Sequence, residues 1–156
     1  MTKKEILEPS HLKSHIGYRL RVVSNAVSQS FAKKLAALDV TVAEWVILRE
    51  MYSHEENTSP SAVAEITGLT RGAVSKLIDR LLNKGLVTRA ESAGDRRYQD
   101  IELTSKATKL IPKLSKIADE NDSAFFSLLS QTERDLLMKT LIKLADLNKL
   151  NANPME

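Results

Sequence analysis

Cysteine is absent from the 156 residues, which excludes disulfides, thiolate metal sites and cysteine-based redox sensing. Histidine is scarce. His11 and His15 fall near the start and His54 in a polar stretch, and none joins a recognisable nucleophile and base, so an enzyme is not expected. His11 and His15 are four apart, as two metal ligands on a helix would be, but no further histidine or cysteine completes a set, so they read as surface histidines and no metal or cofactor is expected. No run of roughly 18 apolar residues occurs, and no N-terminal segment joins basic residues, an apolar stretch and a cleavage site. A soluble, cytoplasmic protein without a membrane partner is the expectation. Acidic residues are missing between Pro9 and Leu38, where Lys13, Arg19, Arg21, Lys33 and Lys34 are all basic. The plain reading is a solvated cationic face, and the sharper one an anion-attracting surface. Overall charge is only +3 and the isoelectric point about 9.1, which permits a polyanionic partner without demanding one. The length suits one domain with a real core and is short for two.

What is present concentrates in residues 59–104. Val74, Leu77, Ile78, Leu81 and Leu82 recur at three- and four-residue spacing, which predicts one buried side of an α-helix. The opposite side carries Gly72, Lys76, Asp79, Arg80 and Asn83, with Ser75 at its flank and Arg71 in the first turn. Thr70 is a good N-cap, and Gly85 stands where a left-handed residue can end the helix. Upstream, Ser59 and Pro60 supply a cap and a first-position proline for a shorter helix whose buried side is Val63, Ile66 and Leu69. Gly68 provides the turn, so the pattern is helix, turn, helix. Downstream, residues 86–90 and 98–103 are β-compatible and flank a polar loop containing Gly94, Asp95, Arg96 and Arg97, a hairpin wing. A helix with a basic outer face suits the major groove of DNA, and arginines at a hairpin tip suit a phosphate backbone or the minor groove.

This stretch resembles the DNA-binding domain of the MarR (multiple antibiotic resistance regulator) family. Its wing signature, Asp, one residue, Arg, five residues, then Leu-Thr, is filled by Asp95, Arg97, Leu103 and Thr104 without a gap, and residues 69–87 follow the recognition-helix pattern. The flanking helices agree in order, so the likeness spans nearly all of residues 11–150. It implies a cleft for a small aromatic or anionic effector near Tyr18, Arg19, Trp45 and Arg49, and a homodimer whose first and last helices intertwine.

Around that centre, residues 1–10 read as a loose arm. Leu12, Ile16, Leu20, Val23, Val27, Phe31 and Leu35 predict a long amphipathic helix from His11 to about Leu38. Thr41 and Glu44 form a capping box that opens a second helix near Val42, with Trp45, Leu48, Met51 and Tyr52 as core and an end near Ser53. Thr104 caps a third long helix that runs to about Leu128, in which Pro112 should cause a bend. Ser130 and Glu133 form another capping box before a last helix striped with Leu136, Leu137, Leu141, Leu144 and Leu147 and ending near Leu150. Apolar stripes on both terminal blocks would leave a monomer with a large exposed apolar surface, which a two-fold dimer would bury.

The expected fold is thus mostly α with a small β-hairpin wing: a winged helix-turn-helix lobe over residues 39–104, between an N-terminal arm and dimerisation helix (1–38) and C-terminal dimerisation helices (105–156). The expected function is a sequence-specific DNA-binding transcription regulator, a repressor released by a small-molecule effector, acting as a homodimer on double-stranded DNA with a near-palindromic operator. Thr70, Arg71, Gly72, Ser75, Lys76 and Arg80 are the contact candidates on the helix. Arg96 and Arg97 are those on the wing, with Asp95 orienting an arginine instead of facing phosphate. The competing reading is a winged-helix protein-interaction module without DNA binding.

Overall fold

A computed structural model describes residues 8–53, 58–91 and 99–150. Eight regular elements follow a short 3-10 turn: α1 (Ile16–Ala36), α2 (Val42–Ser53), α3 (Pro60–Thr67), α4 (Arg71–Asn83), β1 (Val87–Glu91), β2 (Gln99–Leu103), α5 (Ser105–Phe125) and α6 (Gln131–Leu147). The architecture is mostly helical with one antiparallel hairpin, as the periodicity predicts.

Caps explain most of the boundaries. The side-chain oxygens of Ser59, Thr70, Thr104 and Ser130 each accept a backbone N–H three residues on, satisfying donors the helix starts would otherwise leave open. Both capping boxes are reciprocal: Thr41 N–H donates to Glu44 Oε2 at 2.9 Å, and Ser130 N–H to Glu133 Oε2 at 2.8 Å. Gly68 and Gly85 take φ of 69° and 68°, the left-handed turn that stops α3 and the link that leads from α4 into β1. The first helix departs from expectation. His15 is extended (φ −81°, ψ 127°), so α1 starts at Ile16 after the 3-10 turn Leu12–Ser14 and stops at Ala36.

One core joins α1, α2, α3, α4, the hairpin and α5, with Leu35, Ile47, Leu48, Leu81, Leu86, Ile101, Ile111 and Leu114 almost fully removed from water. Burial of such side chains contributes about 1.5–3 kcal/mol each, so this cluster is what holds the helix-turn-helix against α5. On α2 the buried positions are Glu44, Ile47, Leu48 and Met51. Tyr52, expected in that core, is 43% exposed, because at 100° per residue it falls about a quarter-turn off the centre of the stripe. α5 continues unbroken through Pro112.

β1 and β2 pair with Val87 opposite Leu103 and Glu91 opposite Gln99. Thr58 bonds the free edge of β2, donating its N–H to Ile101 O (3.1 Å) and accepting the Ile101 N–H (2.8 Å). The wing base is thereby tied to the segment that enters α3.

The last helix is different. No residue of α6 is buried, and Leu136, Met138, Ile142, Leu144 and Leu147 are exposed; so are Leu12, Ile16, Leu20 and Val23 at the other terminus, with Ile16 at 83%. The stripes expected to meet a second subunit are thus open in the single chain. No helix among the described residues is long and apolar enough to cross a membrane.

Candidate nucleic-acid interface

The helix-turn-helix is assembled by short-range chemistry. Within α3, Thr67 donates its hydroxyl to Val63 O at 2.7 Å, and Gly68 N–H closes the helix on Ala64 O at 2.9 Å. Thr70 then caps α4 by accepting the Ala73 N–H at 3.3 Å. That leaves its own hydroxyl hydrogen free to donate outward.

α4 divides as its sequence period requires. Val74, Leu77, Ile78 and Leu81 are buried, whereas Arg71, Gly72, Ser75, Lys76, Asp79, Arg80 and Asn83 are exposed. The six helix candidates Thr70, Arg71, Gly72, Ser75, Lys76 and Arg80 are therefore gathered on one outward surface. Asp79, the only carboxylate there, pairs with Arg89 of β1 at 3.3 Å. Among the described residues no ion pair engages Arg71, Lys76 or Arg80, and the first turn of α4 holds no acidic residue, so its N-terminal dipole faces an uncontested approach for an anion. At Gly72 an added Cβ would meet nothing within 4 Å, so the fold does not require glycine there.

Asp95, Arg96 and Arg97 lie outside the described residues. The flanking register, with Glu91 opposite Gln99, fixes the hairpin from which that seven-residue connection departs.

Sequence reasoning missed the groups that hold α4 from behind. Glu44 is fully buried, and its Oε2 receives Lys84 Nζ at 2.9 Å as well as the Thr41 N–H. Lys84, the C-cap of α4, also donates to Asp39 O at 2.7 Å, while its own carbonyl accepts Lys106 Nζ at 2.7 Å. Thr104 Oγ1 donates to Gly85 O at 2.7 Å. One signal was available: Glu44 lies in the middle of the apolar stripe of α2, where a carboxylate needs a buried partner. Asn121 was missed too. It is 2% exposed, accepts Ser30 Oγ and Lys34 Nζ at 2.8 Å each, and donates to Val27 O at 3.3 Å, stitching α5 to α1.

The effector candidates separate into two groups. Trp45 meets Phe31 edge-on with ring centroids 6.3 Å apart. Tyr18 and Arg19 stand 12 or more residues earlier on α1, roughly 20 Å along the helix, so one chain does not bring them beside Trp45. Arg49 bonds Ser53 Oγ, and Arg19 donates to Lys13 O at 2.9 Å. A cavity of about 310 Å³ opens instead between α1 and α5, beside Val27, Phe31, Ala118 and Asn121. None of the four candidates lines it.

Capped helices around a glycine turn, a cationic outer face on the second and a hairpin immediately after it define a winged helix-turn-helix protein. Residues 38–97 match the MarR family. Over most of the chain the fold is similar to that of solved structures. BpsR of Bordetella bronchiseptica, whose structure concerns regulation of DNA binding by 6-hydroxynicotinic acid, is 23% identical with a TM-score of 0.78 over 89% of this chain and 99% of its own. S. aureus MepR in complex with DNA is 27% identical, with a TM-score of 0.73 over 86% and 96%. The organohalide-sensing regulator RdhR-CbdbA1625 bound to 2,4-dichlorophenol is 18% identical, with a TM-score of 0.78 over 93% and 89%. Residues 38–97 are thus similar to the MarR family, and the fold of the chain is similar to that of winged-helix regulators over most of its length.

Proposed function

We propose that this chain acts as a homodimer that occupies a near-palindromic operator, represses transcription there and leaves when a small aromatic or anionic effector binds. The observation that carries the reading is the two-sided character of α4: one side is locked into the core, while the other presents Arg71, Lys76 and Arg80 without a carboxylate partner among the described residues. In the dimer, two such helices would meet half-sites about 34–36 Å apart or a multiple of that. Thr70, Gly72 and Ser75 would let the helix start approach the groove, and the wing residues Arg96 and Arg97, oriented by Asp95, would reach the neighbouring backbone. The exposed apolar stripes of α1 and α6 support the dimer, since single chains rarely leave such surface to water.

The solved relatives support the remaining parts. One was crystallised with DNA, one with a chlorinated phenol, and the DNA binding of one is regulated by a hydroxynicotinic acid. Both small molecules are aromatic. Tyr18 and Arg19 can join Trp45 and Arg49 in one effector cleft only if a second subunit supplies half of it. Proteins of this family are generally not enzymes, and we assign no catalysis and a cytoplasmic location here.

Selecting preferred duplexes from a random pool, followed by binding at graded salt, tests the reading. The expected result is an inverted-repeat operator whose log affinity falls linearly with log salt. Purified protein that stays a single subunit, or that ignores duplexes at low ionic strength, would leave the interaction-module alternative in its place.

A further inference from the structure

We propose that the ion pair between buried Glu44 and partly exposed Lys84 is the positioning element that sets the angle of α4 against α2 and the turn after α1, and so selects which half-site spacing the dimer accepts. The inference rests on the DNA-binding reading and adds the residues that tune it. Neither side chain faces the outward surface of α4, and neither is needed to make that surface cationic.

Lys84 is the last anchor of the recognition helix. Its ammonium reaches Glu44 Oε2 on α2 (2.9 Å) and both the carbonyl (2.7 Å) and the carboxylate (3.5 Å) of Asp39, in the turn that ends α1. From the other side, Lys106 of α5 donates to the Lys84 carbonyl at 2.7 Å. One residue thus ties α4 to the helices on both of its flanks. Asp39 itself holds a φ of 56°, a left-handed conformation that a non-glycine residue keeps only when its surroundings fix it. Glu44 is completely buried, and its Oε1 has no hydrogen-bond partner among the described residues.

With Glu44 fully buried and Lys84 partly so, the pair gains little stability over an apolar replacement, because the desolvation cost offsets much of the attraction. What it fixes is geometry. α4 has 13 residues and is about 20 Å long, so a rotation of about 5° at Lys84 moves the Arg71 end by roughly 1.7 Å. Two subunits turning together would change the separation of their reading heads by about 3.4 Å, one base-pair step. The apolar contacts of Val74, Leu77, Ile78 and Leu81 keep α4 on the core, while the polar contacts of Lys84 fix its C-terminal end.

The absence of cysteine makes a direct test simple. Ser75→Cys gives the full-length dimer one spin label per subunit, and the distance between the two labels reports head separation without DNA. The variants are Lys84→Met, Glu44→Gln and the two combined, the last leaving no buried charge without its partner. In the combined variant the mean label distance should move by about 2 Å or more, or its spread should double. With unlabelled protein, the preference for the best half-site spacing over one a base pair longer should at least halve. A folded combined variant with unchanged distances and unchanged spacing preference overturns the proposal, whatever its melting temperature. Failure of the combined variant to fold also overturns it, because the pair would then be holding the core together instead of aiming α4. If the unmodified protein binds no duplex at low salt, the DNA reading fails, while the label distances still decide whether the pair positions α4.

Discussion

Gly72→Ala should make the protein more stable and a poorer DNA binder. Gly72 sits at the second position of α4, its φ is not positive, and a Cβ built on it meets nothing within 4 Å. Alanine therefore fits without strain. In a helix interior the exchange is worth about 1 kcal/mol, and gains from restricting the unfolded chain run about 0.4–1 kcal/mol. A first-turn site realises the lower part, about 0.5 kcal/mol. For a chain of this length that corresponds to a rise of about 1–2 °C in melting temperature, read at one fixed protein concentration because a dimer melts in a concentration-dependent way. On the DNA side, the added methyl lies on the same surface as Arg71, Ser75 and Lys76, where the helix backbone must come close to the groove. Displacing the helix start should forfeit at least one good contact, about 1–3 kcal/mol, which a gel shift reads as binding weaker by roughly 5- to 150-fold. Raised stability with unchanged affinity would show that the backbone at residue 72 never nears the duplex. Lowered stability would refute the claim that the fold has no use for glycine here.

Other outcomes are equally specific. Lys76→Ala should weaken operator binding, and if the lysine reads a base the loss should fall at one operator position by about 1–3 kcal/mol in a scan of single-base variants; a uniform loss marks a phosphate contact. Arg97→Ala should reduce the slope of log affinity against log salt by about 0.9, measured by fluorescence anisotropy across a salt series. Leu81→Ala removes a fully buried side chain behind the reading surface and should cost about 2–5 kcal/mol in denaturant melts. Leu144→Asp changes only an exposed residue of α6, so it should leave the helical content of a single chain intact yet shift sedimentation toward the monomer and abolish operator binding.

Where the chain reads itself locally, sequence was enough. The four buried residues of α4, its Thr70 cap, the left-handed Gly68 and Gly85 and both capping boxes depend on neighbours within four positions, and the structure places them as the spacing requires. The hairpin strands begin and end within a residue of expectation because the alternating run and the glycine-bearing loop are also local signals. Partners 40 to 94 positions away are another matter. Lys84 for Glu44 and Val27 for Asn121 are chosen by how α2 meets α4 and how α1 meets α5, and no periodicity encodes that. Glu44 shows the cost of a sufficient local explanation: the capping box accounts for its carboxylate at the helix start and so hides the Lys84 ammonium it also serves. Tyr18 and Arg19 were grouped with Trp45 by family likeness, and the length of α1 separates them within a chain. The break at His15 has no counterpart in the apolar stripe, which runs through Leu12 and Ile16 as if one helix held both.

These two classes of contact divide the work of regulation. Local chemistry builds the reading head, so on the proposed reading an effector acts on how two heads stand relative to each other. It does so only to the extent that it binds one separation better than the other. Couplings between sites are typically about 1–3 kcal/mol, a factor of roughly 5 to 150, whereas inverting an equilibrium from 1:99 to 99:1 takes about 5.5 kcal/mol. One small molecule with a coupling in that range, bound for example in the 310 Å³ between α1 and α5, does not by itself reverse a strongly one-sided preference. In a two-fold dimer with one site per subunit the two couplings add, to about 2–6 kcal/mol when both are filled. The anchors behind α4 are suited to couplings of that size: they are polar, few and shared among α1, α2 and α5, so a small displacement of one helix changes the aim of the reading surface without unpacking the core beneath it.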